Sequence, residues 1–300
     1  MKLLILGSEG FIGSHAKKYF LEQPHYEVYK ADIVIRQDHN YQVINPEHAD
    51  FSSIFSGDAF DVCINATGAA NVQFSFRYPA LDYILNVSNV FLMLDAIRRF
   101  NPSCKFINLS SAAVYGNPSR LPVSEKDVLQ PLSPYGWHKL YSEQVCKEFA
   151  DYFGMKTVSL RIFSAYGPGL RKQLFWDLFS KFIDPGKEVE LFGSGDETRD
   201  FIFIDDLVHA MECVIRHADF DGRAINVSSG EETGIVDAAA IFKELLQSGK
   251  QIKFNGKVKE GDPKNWKANI DLLKSFGFSG GTDMQRGLHH YINWAKKQHP

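Results

Sequence analysis

Short apolar-rich runs alternate along the chain with longer stretches in which apolar positions recur every three or four residues. The short runs, 2–6, 27–31, 62–65, 105–109, 157–162 and 224–227, read as strands, and their alternation with helical segments is the pattern of a parallel sheet covered on both faces by helices. The longer stretches, 12–20, 84–100 and 135–153, read as helices that turn an apolar face to the sheet. Strand and helix in succession require parallel strands joined by crossover helices, so the pattern predicts a doubly wound α/β fold. Beyond Tyr166 the rhythm changes: Gly167-Pro168-Gly169, Asp184-Pro185-Gly186 and Gly193-Ser194-Gly195 punctuate the chain, and helical segments stand alone. A smaller second lobe is expected there. Because 224–227 has the texture of one more central strand, the predicted division is 1–165 with about 201–229 against 166–200 with 230–300.

With 300 residues, 44% of them hydrophobic and 23% charged, the chain is long enough to bury a sizeable core. Its 33 Lys and Arg against 36 Asp and Glu leave a net charge of -3, so no global field draws nucleic acid or anionic lipid. Cys63, Cys104, Cys146 and Cys213 lie far apart without zinc-ligand spacing, which points to a reducing, cytoplasmic setting and no structural metal. The apolar start breaks at Gly7, too early for a signal peptide, and no stretch approaches the roughly 18 uncharged apolar residues of a membrane span.

The first strand runs into Gly7-Ser8-Glu9-Gly10-Phe11-Ile12-Gly13 and then a helix. Glycines in such a turn let a pyrophosphate approach the backbone, while the helix N-terminus offers N–H donors and a positive dipole end. The spacing is GxxGxxG, which alone also fits an ordinary tight turn. Asp32, 19 residues after Gly13 at the end of the second strand, adds a carboxylate that can accept from adenosine ribose hydroxyls and would repel a 2′-phosphate. The pair predicts a Rossmann-type site for NAD rather than NADP, with Arg36 nearby as a feature that suits NADP.

Past the strand at 105–109 come Ser110 and Ser111, and further on Pro134-Tyr135-Gly136-Trp137-His138-Lys139 opens a helix. Tyr135 and Lys139, four apart, share one helix face. An ammonium beside a phenol is expected to pull the tyrosine pKa down from about 10, which makes Tyr135 a candidate acid/base. A Tyr-x-x-x-Lys pair is common on helix surfaces; here it stands with an upstream serine and a dinucleotide turn. His138 falls off that face and is expected to be exposed. His289-His290 lacks metal partners, and the aromatic run 175–179 reads as a buried helix face.

Together these motifs resemble the extended short-chain dehydrogenase/reductase family, and within it the NAD-dependent sugar-nucleotide epimerase/dehydratase group; the resemblance runs from Met1 to about Gly281. It implies that Gly7, Gly10, Phe11, Ile12 and Gly13 hold the pyrophosphate and Asp32 the adenosine ribose. Asp50-Phe51 resembles the loop bordering the adenine, and Ala66-Thr67-Gly68, with Asn86, the wall beside the cofactor. It further implies Tyr135 as acid/base, Lys139 on the nicotinamide ribose, and Ser111 on the reacting oxygen. Ser164, Arg199 and Lys259 fall in segments similar to the family's sugar-nucleotide contacts, with Arg199 on the diphosphate.

Three departures refine the expectation. Relatives often carry asparagine at the Ser164 position and Gly-Thr where Asn89-Val90 stands, and dehydratases carry Thr-Asp-Glu in the stretch occupied here by Ser111-Ala112-Ala113. Water elimination needs that extra acid and base, so epimerisation is expected ahead of dehydration. The resemblance thus implies C4 epimerisation of a nucleotide-diphosphate sugar, by default a UDP-hexose, through a transient 4-keto sugar. A 4-keto reductase or dehydrogenase with net cofactor turnover is the alternative, and a non-catalytic dinucleotide sensor a third. The apolar run 91–94 and the helix from Tyr141 suit a helix-bundle homodimer, as the family often forms.

Overall fold

The computed structural model describes residues 1–45, 49–257 and 260–298. In chain order its elements begin with β1 (Lys2–Leu6), α1 (Phe11–Leu21), β2 (Glu27–Asp32), β3 (Tyr41–Val43), α2 (Phe51–Gly57) and β4 (Val62–Asn65). There follow α3 (Val72–Arg77), α4 (Pro79–Tyr83), a π-helical turn at Ile84–Ser88, α5 (Asn89–Phe100), β5 (Lys105–Ser111), α6 (Pro134–Phe153) and β6 (Thr157–Ile162). The rest comprises β7 (Ser164–Tyr166), α7 (Gln173–Ile183), β8 (Glu188–Leu191), β9 (Thr198–Phe203), α8 (Ile204–His217), β10 (Asp221–Val227), β11 (Glu232–Gly234), α9 (Ile235–Leu245), β12 (Gln251–Phe254), α10 (Asp271–Ser275) and α11 (Met284–Gln298).

Seven strands form one parallel sheet in the order β10-β6-β5-β4-β1-β2-β3. All six predicted strands are in it. The unbroken apolar character of β1 has a direct cause: Leu3 and Ile5 enter the core on one face of the sheet, Leu4 and Leu6 the core on the other. Each such burial contributes roughly 1.5–3 kcal/mol. Helices α1 and α8 pack together, as do α5, α2 and α6. Strand order reverses between β1 and β4, and a sheet of this kind opens its ligand crevice at the carboxyl ends of the strands where that happens.

Helix α6 shows how local sequence sets an element's limits. Ser133 caps it, its hydroxyl accepting from Gly136 N at 3.2 Å; Pro134 takes the first turn; and Gly154, at φ 65°, closes it in the left-handed region. The helix predicted over 84–100 is not uniform. Its first five residues make a π turn that carries Asn86 inward, a geometry that periodicity does not encode and that is frequent beside functional sites. Among the described residues one helical run, Pro79–Phe100, is long and apolar enough to cross a membrane, although Asp82 and Asp95 keep it from being an uncharged apolar stretch of that length. It covers the sheet instead, packed against α2 and α6 with Val90, Met93, Leu94 and Ile97 buried.

The second half departs further from the prediction. Besides lone helices it holds a three-stranded sheet, β11-β9-β7, and a two-stranded one, β12-β8. These strands are short and some are half exposed, so they lack the apolar run that marks the large sheet.

Candidate active site

The glycine turn at the end of β1 is shaped by contacts that no side chain could share. Gly7 sits at φ 78°, and a Cβ there would lie 2.6 Å from Ala66 O. A Cβ on Gly13 would lie 2.0 Å from Gly7 O, so α1 descends directly onto the turn. Gly10 precedes Phe11 and Ile12 with no side chain capping the helix, which leaves the first N–H groups for an anion. The Ser8 hydroxyl is buried without a hydrogen-bond partner. Asp32 lies at the β2 end as predicted, and its two oxygens accept from Glu9 N at 2.8 Å and Val34 N at 3.2 Å. Arg36 is drawn to Glu9 at 3.2 Å; burial opposes it, but Lys17 and Arg36 hold the Glu9 carboxyl below its usual range. The guanidinium that would favour a 2′-phosphate is therefore already engaged by a carboxylate. These residues fit a dinucleotide.

Across the crevice, Asn65 at the end of β4 accepts from Thr67 N at 3.1 Å and Thr67 Oγ1 at 2.6 Å, fixing the Ala66-Thr67-Gly68 turn. The π turn sets Asn86 behind it: Asn86 Nδ2 donates to Ala69 O at 3.2 Å, and Asn86 Oδ1 is buried without a partner, 2.5 Å from where a Cβ on Gly68 would stand. Asp50 caps α2 by accepting from Ser52 N at 3.0 Å. Phe51 is a core side chain of the α2 face, so its ring is turned into the protein and not toward a ligand.

Tyr135 and Lys139 share the predicted face of α6, with the Lys139 ammonium 5.9 Å from the Tyr135 ring centroid. The expected acidification of the phenol is not found. Burial pushes Tyr135 up to about 12, against a hydrogen bond from Ser111 that favours the phenolate, and the Asp82 charge adds to the rise. Lys139 itself is brought down to about 8, chiefly by burial, and its ammonium donates to Leu109 O at 2.9 Å. Helix spacing alone could not weigh this desolvation against the lysine's charge. Ser111, at the end of β5, also accepts from Ala113 N at 3.1 Å, which turns the chain sharply after the strand.

His138 is buried, not exposed. Its Nδ1 lies 2.5 Å from Oδ2 of Asp82, a fully buried carboxylate on α4 whose other oxygen has no partner. The helix-face argument failed because α4 covers the side of α6 that a lone helix would show to water. Sequence reasoning also missed the polar ladder beneath the site. Asn65 donates to Asn108, Asn108 to Ser142, and Ser142 to the carbonyl of Lys139, while Arg161 grips Glu143 at 2.7 Å and donates to the Tyr115 hydroxyl at 2.8 Å. Polar residues inside otherwise apolar strands were the available signal.

In the three-stranded sheet of the second half, Ser164 lies on β7 and Arg199 on β9. Arg199 donates to Thr198 O at 2.8 Å and Lys264 O at 3.0 Å, with its guanidinium 5.6 Å from the Trp266 ring centroid. Lys259 lies outside the described residues. Phe175, Leu178 and Phe179 are buried on α7, the helix face predicted for them.

A parallel sheet with a glycine turn at its switch point, joined to a Ser/Tyr/Lys cluster at the end of β5, defines a dinucleotide-dependent enzyme that moves hydride and proton together. Residues 3–228 match the model of the NAD dependent epimerase/dehydratase family, and the chain belongs to that family. A putative UDP-glucose 4-epimerase of Methanocaldococcus jannaschii is 27% identical over 98% of both chains. UDP-glucuronate 4-epimerase 4 of Arabidopsis thaliana is 25% identical over 97% of this chain and 74% of its own. Among solved structures, the UDP-glucuronic acid 4-epimerase of Bacillus cereus, in complex with UDP-glucuronic acid and NAD, is 26% identical, with a TM-score of 0.90 and full coverage of both chains.

Proposed function

We propose that the protein interconverts the C4 epimers of a UDP-hexose. The observation that carries this reading is the complete Ser111, Tyr135 and Lys139 set beside the NAD turn, with Ala112 and Ala113 where elimination would need an acid and a base. NAD, when bound, accepts a hydride from the sugar and returns it. Gly7, Gly10, Phe11, Ile12, Gly13 and Asp32 hold it on one side, and Ala66, Thr67, Gly68 and Asn86 on the other. Tyr135, as its phenolate, takes the C4 hydroxyl proton as the C–H bond breaks and, as the phenol so formed, gives that proton back when the 4-keto sugar is reduced on its other face. Ser111 hydrogen-bonds that oxygen, and the Lys139 ammonium, below its pKa of about 8, supplies positive charge beside the phenolate. Arg199 binds the diphosphate, with Ser164 near the sugar. In this reading 166–200 and 230–300 form the sugar-nucleotide lobe.

The test is incubation with NAD and UDP-glucose, UDP-galactose and their uronates, followed by proton NMR. A C4 epimer should form with no build-up of reduced nicotinamide. Stoichiometric reduced cofactor with a keto product would replace the epimerase by a dehydrogenase.

Helix α5 exposes Phe91 and Leu92, and α6 exposes Trp137, Tyr141 and Tyr152, an apolar surface that suits a second copy of the chain. We take the protein to be a homodimer. Sedimentation velocity should show about twice the chain mass, and Leu92→Glu should shift it to the single-chain value; a wild-type monomer would refute this. All four cysteines are free and buried, in keeping with a cytoplasmic protein, which cell fractionation would check.

A further inference from the structure

Glu9 is the one charged residue inside the glycine turn Gly7–Gly13, and the sequence pattern gave it no role. Its backbone N–H donates to Asp32 Oδ2 at 2.8 Å, which seats it against the carboxylate that suits the ribose hydroxyls. Its side chain meets two cations: Oε2 accepts from Arg36 Nε at 3.2 Å, and Oε1 pairs with the Lys17 ammonium on α1. The Glu9 side chain is 14% exposed and that of Arg36 58%, so the pair joins an anion fixed in the protein to a guanidinium that solvent can reach. The segment carrying Arg36 is pinned on both sides: Tyr41 on β3 donates to Val34 O at 2.6 Å, and Lys30 on β2 pairs with Asp38.

These charges stand where NAD and NADP differ. Arg36 lies four residues beyond Asp32, a place from which an arginine can accommodate a 2′-phosphate, whose planar donors suit that anion. Such a phosphate brings roughly two negative charges. Here it would meet Asp32 and Glu9 balanced by Lys17 and Arg36, with no positive charge left over, since Lys30 is spent on Asp38. Burial works against the Glu9 charge, but Lys17 and Arg36 outweigh it, so the carboxyl is ionised at neutral pH. With Glu9 neutral, a single carboxylate would stand against two cations, and both would be free to turn to a phosphate.

We propose that Glu9 is a specificity-determining residue: its carboxylate holds Arg36 and Lys17 from a 2′-phosphate and so excludes NADP, beyond the repulsion that Asp32 supplies. This rests on the glycine turn and Asp32 as the cofactor site. The test titrates NAD and NADP by calorimetry into the full-length protein freed of resident nucleotide, for wild type, Glu9→Gln, Glu9→Gln with Arg36→Leu, and Asp32→Asn. Wild type should favour NAD at least about 100-fold. Glu9→Gln keeps the side-chain size and the N–H to Asp32; it should cut that preference at least about tenfold by tightening NADP, with NAD within about threefold of wild type, as a charge-assisted hydrogen bond requires. Adding Arg36→Leu should take back most of the gain. A wild type without the preference, a preference unchanged in Glu9→Gln, or a gain that survives Arg36→Leu in full overturns the proposal. Asp32→Asn should weaken NAD at least about fivefold. If it does not while Glu9→Gln shifts the preference, the ribose does not sit on Asp32 and the role of Glu9 stands; the opposite pair of results keeps Asp32 and removes Glu9.

Discussion

Tyr135→Phe is expected to lower turnover by at least about 10³-fold while the protein keeps its fold and its NAD. Hydride cannot leave C4 unless the hydroxyl proton leaves with it, and a positioned acid/base contributes on the order of 10²–10⁴-fold to such a step. Tyr135 is the phenol that Ser111 hydrogen-bonds and that shares a helix face with Lys139. Phenylalanine keeps the buried ring, and the glycine turn, Asp32 and Asn86 are untouched, so cofactor content measured on the denatured protein should match wild type. The conservative variant thus separates proton transfer from binding. Turnover within tenfold of wild type, with NAD retained, would remove Tyr135 from the mechanism.

The second large effect is on stability. His138→Leu should cost about 3–5 kcal/mol, because it strips the partner from Asp82 and leaves a fully buried carboxylate with nothing to bond. The companion change tests the cause: adding Asp82→Leu replaces the whole pair by apolar groups of similar size and should recover most of the loss. Denaturant unfolding of the wild type, both single variants and the double variant gives the four corners of the cycle. A single-variant cost under about 1 kcal/mol, or a double variant no better than His138→Leu, would show that the pair is not what holds α4 against α6. The Asp82 charge also raises the pKa of both Tyr135 and Lys139, so the double variant that restores the fold should still have an altered pH–rate profile.

What the residues determined by themselves was local. Gly7, Gly10 and Gly13 with Asp32 marked the proposed cofactor turn because its requirements, a positive φ, close backbone approach and an uncapped helix start, are met within one strand–turn–helix unit. Tyr135 and Lys139 marked the proposed proton-transfer site because helix geometry fixes which residues share a face. The apolar-rich runs of β1, β4 and β5 marked the sheet because both faces of each strand are buried. Tertiary structure decided whatever depends on neighbours distant in the chain. It buried His138 under α4, turned the expected fall in the Tyr135 pKa into a rise through desolvation, and used a π turn to aim Asn86 at Gly68. It also brought the Lys172 ammonium to Ala70 O, 102 residues away in sequence. Burial and charge at a site are sums over non-local contacts, and a sequence pattern records only the local part of that sum.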